Sequence, residues 1–133
     1  MRALILALAL FPLAGAALAQ SVTEVRFASG RTGTMLSGNV TGRDYKDFRL
    51  GAEAGQKMSV ELTVTKTEGF GTVYFNVLPP GSDDVAIYIG AQEGSAVTVP
   101  LPETGTYTVR VYHMGSDGDS GVRSDFNIDL SLR

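Results

Sequence analysis

The chain has 133 residues, with 11 Lys and Arg against 14 Asp and Glu for a net charge of −3, no cysteine and a single histidine. Disulfide scaffolds and Cys/His metal domains are therefore excluded. No basic cluster exists to neutralise phosphates, which sets nucleic acid aside as a partner.

In chain order, Met1-Arg2 is a short positive start, Ala3 to Leu18 is apolar apart from Pro12 and Gly15, and Ala17-Leu18-Ala19 has the small-x-small form of a signal-peptidase site. Residues 1–19 read as a signal peptide and 20–133 as one exported β domain, periplasmic or secreted, with no membrane span after cleavage. No cysteine follows the cleavage point, so a lipid anchor is not expected.

From there the period is two. Strands are predicted at Val22–Phe27, Thr34–Val40, Tyr45–Leu50, Met58–Val64, Thr72–Leu78, Val85–Ile89, Ala96–Val99, Thr108–Tyr112 and Phe126–Leu132. In "MSVELTV" the apolar face is Met58, Val60, Leu62 and Val64, and in "FNIDLSL" it is Phe126, Ile128, Leu130 and Leu132. The breaks, such as "TEGFG", "PPGSDD" and "PETG", are turn chemistry. No window of ten residues carries a capped helical period. The class is all-β: an antiparallel sandwich of two sheets and about 8–9 short strands, each sheet with one wet face.

Catalysis finds no support. No Gly-x-Ser-x-Gly elbow precedes a helix, and His113, which shares the Val109/Val111 face or sits just past the strand end, reads as a rim residue without a visible partner, so an enzyme is not expected. Asp83-Asp84 reads as a turn, and Asn39-Val40-Thr41 as an incidental sequon. Tyr45, Tyr74, Tyr88 and Tyr112 face outward if Phe48, Phe75, Ile87 and Val111 face inward, and they read as cross-strand packing before a sugar platform. Asp117-x-Asp119-x-Gly121 opens like an oxygen-ligand loop. An EF-hand is excluded because its twelfth position is Ile128. A looser calcium site on Asp117 and Asp119, borrowing Asp125 or a loop carbonyl, competes with a mobile, soluble hairpin loop.

The segment "GNVTGRDYKDFRLGAEAGQKMSVELT", then "VYFNVLPPGSD", then "LPETGTYTVRVYHM" and a final Phe-x-Ile-x-Leu strand resemble the small secreted sandwiches related to the bacterial pre-peptidase C-terminal (PPC) domain. Within that set the chain is similar to the periplasmic inhibitors of g-type lysozyme, from about Phe27 to Leu132. The narrower signature is Pro102-x-x-Gly105-x-Tyr107-x-x-Arg110-Val111. The resemblance implies a non-enzymatic monomer without a cofactor, whose partner is a lysozyme or another exported or cell-wall protein. Its implied contacts are Tyr45, Thr104, Gly105, Arg110, His113 and Ser116, with loop residues entering the sugar cleft. Arg110 has two possible roles, pairing with an acidic enzyme residue or a cross-strand salt bridge at home.

Gly115 and Asp119 stand where the inhibitors are expected to carry arginine, and Thr104 where they tend to have serine. An acidic loop is repelled by the carboxylates of a muramidase cleft. The competing expectation is a stand-alone PPC-like module for carbohydrate, cell envelope or protein, holding calcium on Asp117 and Asp119.

Overall fold

A computed structural model describes residues 21–133; the expected signal peptide lies outside the described residues. Among the described residues nine strands form: β1 (Ser21–Glu24), β2 (Gly33–Thr41), β3 (Tyr45–Ala52), β4 (Lys57–Thr67), β5 (Val73–Leu78), β6 (Tyr88–Ile89), β7 (Ala96–Pro100), β8 (Gly105–His113) and β9 (Arg123–Leu132). Two single helical turns, α1 (Gly90–Glu93) and α2 (Ser116–Asp119), interrupt them.

The strands make two sheets, one ordered β1-β3-β8-β5-β6 and the other β2-β9-β4-β7. Alternation explains the layering. Phe48 and Leu50 of β3, Phe75 and Val77 of β5, and Tyr107, Val109 and Val111 of β8 are buried on one inner face. Met58, Val60 and Leu62 of β4 meet them from the other sheet with Phe126, Ile128 and Leu130 of β9. Phe48 and Phe126 close the space between the sheets edge to face, their centroids 6.1 Å apart.

The sandwich is therefore as expected, with three local departures. First, β1 pairs with β3 in parallel, from Ser21 opposite Lys46 to Glu24 opposite Arg49. Second, the expected strand Val85–Ile89 shrinks to two paired residues. Tyr88 lies opposite Val77 and so turns inward, stacking on Phe75 at 5.4 Å, while Ile87 is exposed. The alternation read for Tyr88 and Ile87 is reversed, because pairing with β5 resets the phase after an irregular loop. Third, the segment after β8 is a helical turn and not an open loop.

All long strands run between the same two ends. One end carries the turns at 42–44, 68–72 and 114–122, and the other carries those at 53–56, 79–87 and 101–104.

Candidate functional site

In β8 the side chains of Tyr107, Val109, Val111 and His113 point into the core, leaving Thr108, Arg110 and Tyr112 on the outer face. Arg110 lies opposite Asp47 of β3 and Asn76 of β5. Its Nε donates to Asp47 Oδ1 at 2.8 Å and its Nη2 to Oδ2 at 3.0 Å. Nη1 donates to the carbonyl of Asp83 at 2.7 Å, and the guanidinium sits 4.2 Å from the centre of the Tyr45 ring. The hydrogen bonds to Asp47 hold the Arg110 guanidinium above its already high range, against the opposing effect of burial. Of the two roles read for Arg110, the geometry supplies the one at home: it fixes Tyr45 and straps the 79–87 segment onto the sheet.

Tyr45, Tyr112 and Tyr74 stand side by side across β3, β8 and β5, since Tyr112 is the register partner of both others. Tyr112 donates to Asn76 Oδ1 at 2.7 Å, and burial pushes its phenol upward. The three form a half-exposed aromatic row near the end of the sandwich that carries the 114–122 segment.

The remaining candidates divide between the two ends of β8, eight residue steps and roughly 26 Å apart at about 3.3 Å per residue. Thr104 and Gly105 are at one end. Thr104 Oγ1 accepts from the Ala54 N–H at 2.9 Å. Gly105, with φ +155°, lies so close to Pro80 that a Cβ would be 2.8 Å from its ring. Tyr107 Oη donates to Glu103 O at 2.7 Å and accepts from Glu103 N–H at 3.0 Å. This half of the signature closes a turn.

His113 and Ser116 are at the other end. The rim position read for His113 is corrected: its ring is inside, only 8% exposed. Nδ1 is 3.0 Å from Gly42 O, and Nε2 is 2.8 Å from the hydroxyl of Ser124, which is fully buried and bonds on to Thr67 Oγ1. The strand continues its inward alternation through His113, so the imidazole knits β8 to the turn after β2 and to β9 and does not face a partner. Ser116, opening α2, is exposed.

Asp117 and Asp119 do not converge. Asp117 turns inward, where Oδ1 accepts the Phe70 N–H at 3.0 Å. Oδ2 accepts the Thr72 N–H at 3.0 Å and the Thr72 hydroxyl at 2.8 Å. These donors, Phe70 N–H foremost, lower the Asp117 carboxyl to about 2. Asp119 faces solvent and pairs with Arg43. Among the described residues no group of three or more His, Asp or Glu is placed to hold a metal.

The loop 68–72, read from the sequence only as turn chemistry, is the counterpart that Asp117 organises. Gly69 passes so close that a Cβ there would collide with the Asp117 carboxylate. Phe70, between two glycines, is 84% exposed. A lone aromatic inside "EGFG" was the available signal.

No family model matches the chain. It is 28% identical over 110 residues to an inhibitor of g-type lysozyme from Escherichia coli, covering 83% of this chain and 80% of that protein. The crystal structure of PliG from Aeromonas hydrophila, a periplasmic inhibitor of g-type lysozyme, superposes with a TM-score of 0.76 at 28% identity, over 86% of this chain and 97% of that one. The pre-peptidase C-terminal domain of a Bacillus anthracis collagenase shares the fold at a TM-score of 0.54 and 12% identity, over 90% and 99% of the two chains. The resemblance read from "GNVTGRDY" through "TGTYTVRVYHM" thus holds in sequence and in fold: the chain is similar to the periplasmic inhibitors of g-type lysozyme on the PPC-like sandwich.

Proposed function

We propose that this protein is an exported inhibitor of g-type lysozyme, working in the periplasm as a monomer after loss of residues 1–19. The observation that carries the reading is likeness of sequence and fold along nearly the whole described chain. Inhibition is a binding event without chemistry on the inhibitor, in keeping with a histidine and a serine that are both spent inside the core. The docking face is the end of the sandwich bearing Tyr45, Ser116 and the 114–121 segment. Thr104 and Gly105 close the opposite end and serve the fold.

The objection raised by the acidic segment weakens on this geometry. The Asp117 charge is buried under the Phe70 and Thr72 donors, and that of Asp119 is offset by Arg43. Asp117 stays ionised but is withdrawn from the surface, so the face that meets a cleft carboxylate presents less negative charge than the composition of the segment. A direct test mixes purified residues 20–133 with a g-type lysozyme and follows lysis of cell walls. Stoichiometric inhibition is expected, whereas full lysis at a large excess of this protein rejects the reading. Calcium plays no part in it.

A further inference from the structure

Among the described residues Phe70 is the most exposed of the large apolar side chains, at 84%, and Met114 on the adjoining segment is 45% exposed. Isolated surface hydrophobics are ordinary, but the backbone beneath these two is unusually constrained. The Phe70 and Thr72 N–H groups donate to Asp117, and the Thr72 hydroxyl, 2.8 Å from both Asp117 Oδ2 and Met114 O, has one proton for the two acceptors. Met114 N–H returns to Thr72 O at 2.9 Å, and Gly69 N–H is held by Thr67 Oγ1 at 3.1 Å. Glu68 and Arg123 exchange bonds at the base of the loop, Glu68 N–H to Arg123 O at 3.0 Å and Arg123 N–H to Glu68 Oε1 at 2.7 Å. A benzyl group is thus raised on a locked loop with no core contact of its own.

Two of the cations near it are paired within the chain, Arg43 with Asp119 and Arg123 with Asp125 at 3.0 Å. What this end offers a partner is an exposed apolar tip on a hydrogen-bonded loop, at the same end of the sandwich as the row Tyr45–Tyr112–Tyr74. Such a tip suits a concave cleft built to hold sugar rings, and a pre-ordered aromatic loses little freedom on docking.

We infer that Phe70, seconded by Met114, is the main anchor by which this chain enters the cleft of its lysozyme, so that its docking is apolar and not led by charge. The inference rests on the proposed function and adds the chemistry of the contact.

The test is calorimetric titration of residues 20–133 with a purified g-type lysozyme, alongside the variants Phe70→Ala, Phe70→Trp and Met114→Ser. Phe70→Ala is expected to weaken binding by about tenfold or more at unchanged Tm, because truncating a central aromatic anchor typically has that effect. Phe70→Trp is expected to bind as the wild type does, and Met114→Ser several-fold more weakly. Raising salt from about 0.05 to 0.5 M is expected to move the wild-type Kd by less than about threefold, since screening acts on charge and not on apolar contact. Wild-type affinity in Phe70→Ala, a large fall in its Tm, or a steep salt dependence overturns the anchor while leaving the lysozyme reading in place. Absence of wild-type binding to the lysozyme overturns both.

Discussion

Arg110 and Asp47 form a two-point ion pair across β8 and β3, and the carboxylate beneath the guanidinium is only 2% exposed. A pair in this position is unlike an exposed surface bridge, because removing one partner strands the other out of water. Arg110→Ala should therefore lower stability by about 2 kcal/mol, the usual scale for a buried acceptor left without its donors. In a domain of this size that is a fall in Tm on the order of 10 °C. Thermal unfolding of Arg110→Ala and of the double variant Arg110→Ala/Asp47→Asn checks it: the double variant should recover part of the loss. An unchanged Tm in the single variant would mean that the pair contributes nothing and free Arg110 for direct contact.

Asp117 makes a prediction in pH. Its carboxyl is held at about 2 by the Phe70 and Thr72 donors, below the ordinary value of 3.8. Between those two values the unfolded chain takes up the proton more readily than the folded one. The stabilisation is thus fully present above about pH 4 and is lost as pH falls towards 2. Melting curves from pH 5 to 2 should show a steeper loss for the wild type than for Asp117→Asn, which has no proton to take up there. Parallel curves for the two proteins would remove the carboxylate from the acid response.

Much of this arrangement was legible before any coordinates. Strict alternation in "MSVELTV", "TVRVY" and "FNIDLSL" is imposed by one buried face, so strand positions and facing follow directly from it. Tyr88 was misread because two paired residues cannot carry a phase through a loop. His113 was placed on the correct face and still misjudged: alternation gives direction but not how far the neighbouring sheet extends over a strand end. Asp117 shows the deeper limit. Its spacing to Asp119 suggests a cation, whereas its donors come from Phe70 and Thr72, more than forty positions away. Local pattern records ligand-like spacing and not which distant N–H groups arrive first.

That contrast yields a test with calcium. A carboxylate turned inward onto the Phe70 and Thr72 donors, and a neighbour paired to Arg43, leave no two converging ligands in the 114–121 segment. Adding millimolar calcium, or a chelator in excess, should leave Tm unchanged. A rise in Tm that saturates with calcium would restore the cation site and require Asp117 to turn out of its present bonds.

The absence of cysteine from the sequence makes the docking end directly addressable, since any introduced thiol is unique. Ser116 and Thr106 are both exposed, but they sit towards opposite ends of β8. Neither side chain holds up the core, so Ser116→Cys and Thr106→Cys should fold with unaltered Tm. Labelling each with a bulky maleimide then adds steric volume without adding charge that could itself attract a cleft carboxylate. If the end bearing Tyr45 and the 114–121 segment docks, the label at Ser116 should weaken inhibition of a g-type lysozyme by about tenfold or more, the scale expected when a central contact is blocked. The label at Thr106, near Thr104 and Gly105, should leave inhibition as it was. The opposite result would move the docking face to the Thr104–Gly105 turn and make Tyr107, held between Glu103 N–H and O, the support of a binding loop.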